Sequence, residues 1–410
     1  MTSNPTFITA LLPDAGPHQV VIFGDTEFTI LGTAHVSKVS ADEVQQLIES
    51  NHYDAVAVEV CRSRYQAMTE PDLVGRMNLF EVIRTGKAGV VAANLALGAY
   101  QQRVAETAGV EPGADMKAAI TTAHAAGLPI WLIDRDIGIT LRRVYRSVPW
   151  WQRSALLLGL FQSVISRESV SAESIEQLKE SDVLSATFSD FAEDSPAIHQ
   201  ALIAERDEFM ALKALQENQK SPKKHVLMVV GAGHLAGITQ EFRTLSQHDS
   251  VLPRINELQK IPTAKRWLKY VPWFIAGIIL TGFIAGFSQS SELGWQLISS
   301  WFLINGTLTA IGTAIAKGHP LTIAASFVAA PFTSLNPTIG AGFVAAAVEL
   351  WIRQPKVQDF STLRHDVAQW RGWWKNRVSR TLLVFLFASL GSMAGTYLGG
   401  FRVFGLLSGA

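Results

Sequence analysis

Ile30-Leu31-Gly32-Thr33-Ala34-His35-Val36-Ser37 decides how the chain is read. An apolar run from Phe28 to Leu31 stops at a glycine, and a histidine follows three residues later. Ser37 and Ser40 then precede an amphipathic segment. The pattern predicts a strand, a tight turn and a helix with a serine N-cap. It puts His35 at the carboxyl end of a strand, where open α/β sheets bind ligands. The pattern recurs further on, where His225-Val226-Leu227-Met228-Val229-Val230 runs into Gly231-Ala232-Gly233-His234 and another helical segment. Two copies of strand-Gly-x-x-His predict that the two histidines meet in one crevice.

Outward from the first copy, residues 20–31 read as two strands around a Gly24-Asp25 turn, a hairpin signal. Residues 40–51 read as a helix. Asp54-Ala55-Val56-Ala57-Val58-Glu59-Val60 reads as a strand of the continuous apolar kind that parallel sheets bury on both faces. Glu59 stands out, because a carboxylate there is costly to bury unless it is paired or binds a metal. Pro129 to Asp134 is a further strand, ending in the polar Asp134-Arg135-Asp136. Residues 138–220 carry helical patterns. The apolar stretch Ser154 to Ser166 is too short for a bilayer span of roughly 20 residues. It reads as a core helix, with a membrane-surface or dimer-interface helix as the alternative. Residues 196–216 form a helix bearing Glu205-Arg206-Asp207, of which two can share a face.

The 410 residues hold 35 basic and 35 acidic side chains, a balance that offers nothing to nucleic acid. Mean hydropathy is +0.19, typical of a chain that is part membrane. The single cysteine, Cys61, excludes an intramolecular disulfide and reads as structural. The first residues, MTSNPTFITALLPDAG, lack a basic region before a long apolar run, so no secretory signal is expected.

Residues 1–250 therefore read as a soluble α/β domain, 251–269 as a basic linker and 270–410 as an all-α transmembrane domain. Residues 271–287, 295–316 and 381–404 are the expected spans. Residues 320–352 form an apolar block broken by Pro331-Phe332-Thr333-Ser334-Leu335-Asn336-Pro337, expected to be re-entrant. Lysine and arginine concentrate before the first span and again in 353–380, which orients the catalytic domain to the cytoplasm. Gly282-x-x-x-Gly286 and Gly391-x-x-x-Gly395-x-x-x-Gly399 let helices approach closely. With the 154–166 helix, they suggest a homodimer or higher homo-oligomer.

Either histidine alone reads more readily as a core or capping residue. Together with Glu59 they make two imidazoles and a carboxylate, a set that suits zinc with an open water position, or manganese or iron with more oxygen ligands. No P-loop, G-x-G-x-x-G or G-x-S-x-G occurs, which removes nucleotide binding and serine hydrolysis.

LGTAHVS, VAVEVCRSR, ERD, VVGAGH and, among the apolar spans, HPLT and LNPTIGAG resemble the TraB/PrgY family, which includes the pheromone-shutdown proteins. The resemblance covers nearly the whole chain. It implies a relation to the Tiki metalloproteases and an α/β domain of two pseudo-repeated halves, similar to ChaN-like and erythromycin-esterase-like domains. It further implies a membrane-anchored metal-dependent peptidase. His35, Glu59 and His234 fall on the metal positions, Glu59 and Arg206 on catalytic ones. The expected cofactor is one or more divalent ions (manganese, cobalt or zinc), and the expected partners are a peptide or protein substrate and the lipid membrane. A peptide-sequestering membrane protein without activity and a small-solute transporter are the alternatives.

Overall fold

A computed structural model of the chain describes residues 16–34, 37–69, 79–85, 88, 91–92, 95, 98–99, 113–147, 196–245, 250–261, 270–336 and 338–408. His35 and the stretch 154–166 lie outside the described residues. The chain packs as two units, Met1–Leu73 with Ala96–Pro262, and Val74–Leu95 with Thr263–Ala410.

The first unit is a mixed α/β sheet in the order β1-β2-β5-β3-β4. Its strands are β1 (His18–Phe23), β2 (Thr26–Thr33), β3 (Ala55–Val58), β4 (Ile130–Leu132) and β5 (His225–Gly231). β1 and β2 form the antiparallel hairpin expected around Gly24, whose φ of 63° is the left-handed turn conformation that glycine tolerates. All other pairs are parallel. The two strands that precede Gly-x-x-His, β2 and β5, are direct neighbours, and β5 separates β2 from β3.

Alternation along each strand builds two cores. Phe28, Ile30, Ala55, Ala57, Val226, Met228 and Val230 face one side. Leu31, Val56, Val58, Leu227 and Val229 face the other. On the second side lie α1 (Lys38–Glu49) and α2 (Ala114–Ala125), through Val44, Leu47, Ile48, Met116 and Ile120. After β4 comes α3 (Ile137–Ser147). On the first side lie α4 (Glu205–Lys220), α5 (Leu235–Thr244) and α6 (Val251–Gln259). Both sheet faces are thus covered, which is why the strands read as continuous apolar runs. α1 begins where expected, with Ser37 Oγ accepting the Ser40 N–H at 3.3 Å.

The second unit is helical, with α7 (Val271–Gln289), α8 (Ser291–Ile315), α9 (Pro320–Thr333), α10 (Ala341–Ile352) and α11 (Arg377–Leu407) as its main elements. Three of these, α7, α8 and α11, are long and apolar enough to cross a membrane. The unit exposes large apolar side chains and buries polar ones among its apolar interior. Phe274, Ile284, Trp351 and Phe401 are exposed, while Asn305, Thr309, Thr313, Ser326 and Glu349 are buried. Asn305 Oδ1 accepts the Ser334 hydroxyl at 2.9 Å, and Glu349 Oε2 accepts the Thr322 hydroxyl at 2.7 Å. Such interhelical polar contacts with small-residue packing suit a bundle in lipid.

α9 runs through Pro331 to Thr333, so the break falls at 334–340 rather than at the proline. The Pro331 carbonyl is satisfied by Trp301 Nε1 at 3.1 Å. α9 and α10 form a hairpin whose outer ends meet, since Arg353 Nη1 donates to Lys317 O at 3.2 Å and the His319 N–H to Glu349 Oε2 at 2.8 Å. At 14 and 12 residues the two arms reach about 21 and 18 Å, short of a roughly 30 Å hydrocarbon core. The glycine faces pack within the chain: Gly391 lies against Leu308, Gly395 against Asn305 and Gly399 against Trp301, all on α8.

Candidate functional site

The carboxyl ends of the four parallel strands gather the chemistry. β5 ends at Gly231, a single 3-10 turn covers Ala232–His234, and α5 follows at once. This delivers His234 to the sheet edge, 1% exposed. One strand over, Glu59 follows β3 and is 2% exposed. Its backbone N–H continues the ladder to Val229 O at 3.0 Å, and its Oε2 accepts the Gly231 N–H at 2.7 Å. Gly32 permits the close approach of β2 to the turn that follows β5. A Cβ there would meet Ala232 Cα at 3.0 Å and Pro17 O at 3.1 Å. On β2, Thr33 donates its single hydroxyl proton toward Asp115 Oδ2 at 2.5 Å or Val230 O at 3.1 Å.

The remaining members come from α4. A π-helical turn at Gln200–Ala204 precedes it, a local widening often found at functional sites. Arg206 Nη2 donates to Glu59 Oε1 at 2.7 Å and to Asp134 Oδ2 at 3.2 Å, while Nε donates to Asp134 Oδ1 at 3.2 Å. Asp207 Oδ1 lies 2.5 Å from His234 Nδ1. Glu205 is held by Arg143 through both oxygens at 2.6 Å and by the buried Arg135 at 2.9 Å. Arg135 also donates to Ala201 O and Leu258 O, which pins the entry into α4. All three residues of the Glu205-Arg206-Asp207 run are thus engaged, one more than a single helix face would allow.

The tautomer of His234 follows from its neighbours. Arg206 Nη1 is 3.2 Å from His234 Nε2, and guanidinium can only donate. Nε2 therefore carries the lone pair, and Nδ1–H donates to Asp207. That lone pair accepts from Arg206, and Nε2 itself stands 3.5 Å from Glu59 Oε1. Two donors at about 2.1 Å on one tetrahedral ion stand about 3.4 Å apart, so the spacing fits a shared cation. A carboxylate on the far nitrogen is the usual support of a metal-binding histidine. Three carboxylates (Glu59, Asp134 and Asp207) face one guanidinium and one imidazole, so the cluster keeps net negative charge even with the imidazole protonated. Burial pushes the Asp207 carboxyl above its ordinary value, outweighing the His234 contact that lowers it. The donor set therefore fits a divalent cation, with Arg206 now supplying positive charge to both donor atoms.

Of the residues expected at the site, Glu59, Arg206 and His234 come together, and His35 lies outside the described residues. Asp207 and Asp134 were not assigned from the sequence. Their signals were present, in an acid beside Arg206 and an acid just past an apolar strand. Cys61 is buried, with Sγ 3.2 Å from Ser63 Oγ, which in turn donates to Asp136.

The family model described as TraB/PrgY/gumN family matches residues 18–252, more than half of the chain. The chain belongs to the TraB/PrgY/gumN family. The C-terminal domain of TraB family proteins matches residues 267–408, so this TraB protein carries both parts. It is similar to an uncharacterized protein of Methanocaldococcus jannaschii, 31% identical over 381 residues, 91% of this chain and 94% of that protein. It is also similar to TraB domain-containing proteins of Bos taurus (25% over 237 residues) and Homo sapiens (24% over 248 residues). Those alignments cover 52% and 55% of this chain and 62% and 65% of the mammalian proteins, so they span under two thirds of the mammalian length.

Proposed function

We propose that this TraB protein is a membrane-anchored metal-dependent peptidase whose reaction takes place at the Glu59–Arg206–His234 cluster. The observation that carries the reading is His234 Nε2 standing 3.5 Å from Glu59 Oε1, with Asp207 fixing the ring from behind and Arg206 Nη1 holding the place an ion would take. His234 and Glu59, with His35 by family resemblance, would hold the ion. A bound divalent ion supplies Lewis acidity and brings the pKa of water from 15.7 to about 7.

The chain's own side chains do the rest. Asp207 holds the Nδ1 proton and so keeps Nε2 a lone-pair donor. Glu59, anchored through Oε2 by the Gly231 N–H, would hold the ion through Oε1 and, on releasing it, take there the proton of the attacking water. Arg206, tethered by Asp134, is a fixed donor beside the pair, suited to stabilise the oxyanion of a cleaved amide or to grip a peptide carboxylate. The relation to Tiki-type proteases and to ChaN-like folds belongs to this reading.

One observation favours a second reading, peptide binding without cleavage: Arg206 already satisfies both donor atoms. A peptide library incubated with the full-length protein, before and after chelation and metal reload, separates the two. Cleavage lost on chelation and restored by manganese, cobalt or zinc is the expected result. Chelator-insensitive binding with no products refutes the peptidase.

The membrane half anchors the site, and the basic residues of 353–380 orient it to the cytoplasm by the positive-inside rule. The meeting of the outer ends of α9 and α10 supports a re-entrant hairpin. Cysteines placed at Ser290 and in 353–380 test this, and labelling of only the second from outside intact cells overturns it.

A further inference from the structure

We infer that Glu27, His52 and His225 form a separate site for one divalent ion of the zinc class, at the end of the sheet opposite the Glu59–His234 cluster. Glu27 opens β2 and is the register partner of His225, which opens β5. His52 sits between α1 and β3, just after Asn51, whose φ of 56° turns the chain in the left-handed region. Three segments far apart in sequence thus aim their side chains at one point. β5 is seven residues long, so the new site is about 20 Å from the first.

The geometry is that of donors gathered around a gap. Glu27 Oε1 is 3.8 Å from His52 Nε2 and 3.7 Å from His225 Nδ1. The three donor atoms lie within 4.8 Å of one another. Donors on one tetrahedral zinc ion stand about 3.4 Å apart, so closure needs a few tenths of an ångström between the carboxylate and each ring, and at most about 1.4 Å between the two rings. The two imidazole centroids are 4.5 Å apart at an interplanar angle of 43°, so the rings converge without stacking flat. His225 Nδ1 is itself buried and has no hydrogen-bond partner, an orphaned acceptor or donor aimed at Glu27. The three side chains are 26–37% exposed, open enough for an ion and a water to enter.

Chemistry selects the ion. Two imidazoles and one carboxylate suit zinc and leave a fourth position for water. One carboxylate is too few oxygens for calcium or magnesium. A cation is what would draw all three donors together. A bound ion would cross-link the amino ends of β2 and β5 to the α1–β3 turn and stabilise the fold, because ion binding that requires the folded site adds to folding free energy.

The test uses the full-length protein in detergent, stripped by chelator and dialysed against zinc, with metal content and thermal midpoint measured. Wild type is expected to bind zinc and to melt higher with it. Glu27→Gln, which keeps the side-chain shape, and His225→Ala are each expected to bind one zinc fewer per chain and to melt lower than wild type in zinc, by the share of the rise that this site supplies. Glu59→Gln, at the far end of the sheet, is expected to keep the share of the rise that Glu27→Gln and His225→Ala lose. A wild type that binds no zinc overturns the inference. So does a wild-type zinc count with an unchanged rise in both Glu27→Gln and His225→Ala.

Discussion

Gly237→Ala in α5 is expected to destabilise the protein, against the helix scale. By propensity, alanine in a helix interior is better than glycine by about 0.8–1.0 kcal/mol. Here a Cβ at Gly237 would overlap the Asp207 carboxylate, standing 2.6 Å from its Cγ. The backbone of Asp207 cannot retreat, because Phe209, Met210 and Leu212 of the same helix are buried in the core, so its side chain must give way. Overpacking of this kind costs about 1–3 kcal/mol. Pushing Asp207 off His234 Nδ1 leaves buried polar groups unpaired, about 1–3 kcal/mol more. Less the propensity gain, the net loss is about 1–5 kcal/mol, or a thermal midpoint lower by roughly 2–10 °C for a unit of the first one's size. In an Asp207→Ala background the obstacle is gone, and the same substitution is expected to be neutral or to stabilise by about 0.5–1 kcal/mol. The assay is a four-protein cycle of thermal or denaturant unfolding on the full-length chain in detergent. Equal stabilisation by Gly237→Ala in both backgrounds would refute the reasoning, since the coupling rests on contact between these two residues.

Three further outcomes follow from the same contacts. Asp207→Asn should weaken metal binding at Glu59–His234 by about 10–100-fold, measured by competition with a chelating dye; unchanged affinity removes Asp207 from its supporting role. Burial pushes Glu205 up, but its bonds to Arg143 and Arg135 outweigh this and hold its carboxyl below the ordinary value of 4.5. A depressed acid stabilises fully above the unfolded value and loses that contribution as pH falls through the folded one. Wild type should therefore melt above Glu205→Gln at pH 7, and the gap should shrink progressively below about pH 4.5; a gap independent of pH contradicts the ion pairing. Gly395→Leu should disrupt the α8–α11 contact, because a Cβ at 395 would already meet Asn305 Cα at 2.8 Å; an unshifted midpoint and unchanged detergent extraction would show that the contact is loose.

Much of the first unit was legible because its local and global signals agree. The Phe28–Leu31 run, the glycine stop and the Ser37 cap each describe one piece of β2, its turn and α1. The repeat of the motif on β5 pointed to a shared edge of the sheet. Periodicity could not show that β5 inserts between β2 and β3, because strand order depends on long-range pairing. Asp207 was hidden for a related reason. Adjacent helical residues normally point apart, and only the way α4 enters the cluster lets Arg206 reach Glu59 while Asp207 reaches His234. In the second unit, Pro331 looked like a break, but α9 runs through it to Thr333, and Trp301 serves the Pro331 carbonyl, one of those left open in the last turn of the helix. The glycine spacing correctly marked close helix approach. Whether the partner helix belonged to the same chain was not in the spacing.

The central claim is that Glu59 and His234 together carry metal-dependent peptide hydrolysis. The most direct measurement is the rate of cleavage of one library-selected peptide by wild type and by Glu59→Gln, each full length and saturated with the same metal. Glu59→Gln keeps the shape of the side chain but removes its basicity, and loss of a positioned general base costs about 10²–10⁴-fold. A fall of at least 100-fold is the predicted result, whereas a Glu59→Gln rate within twofold of wild type contradicts the account.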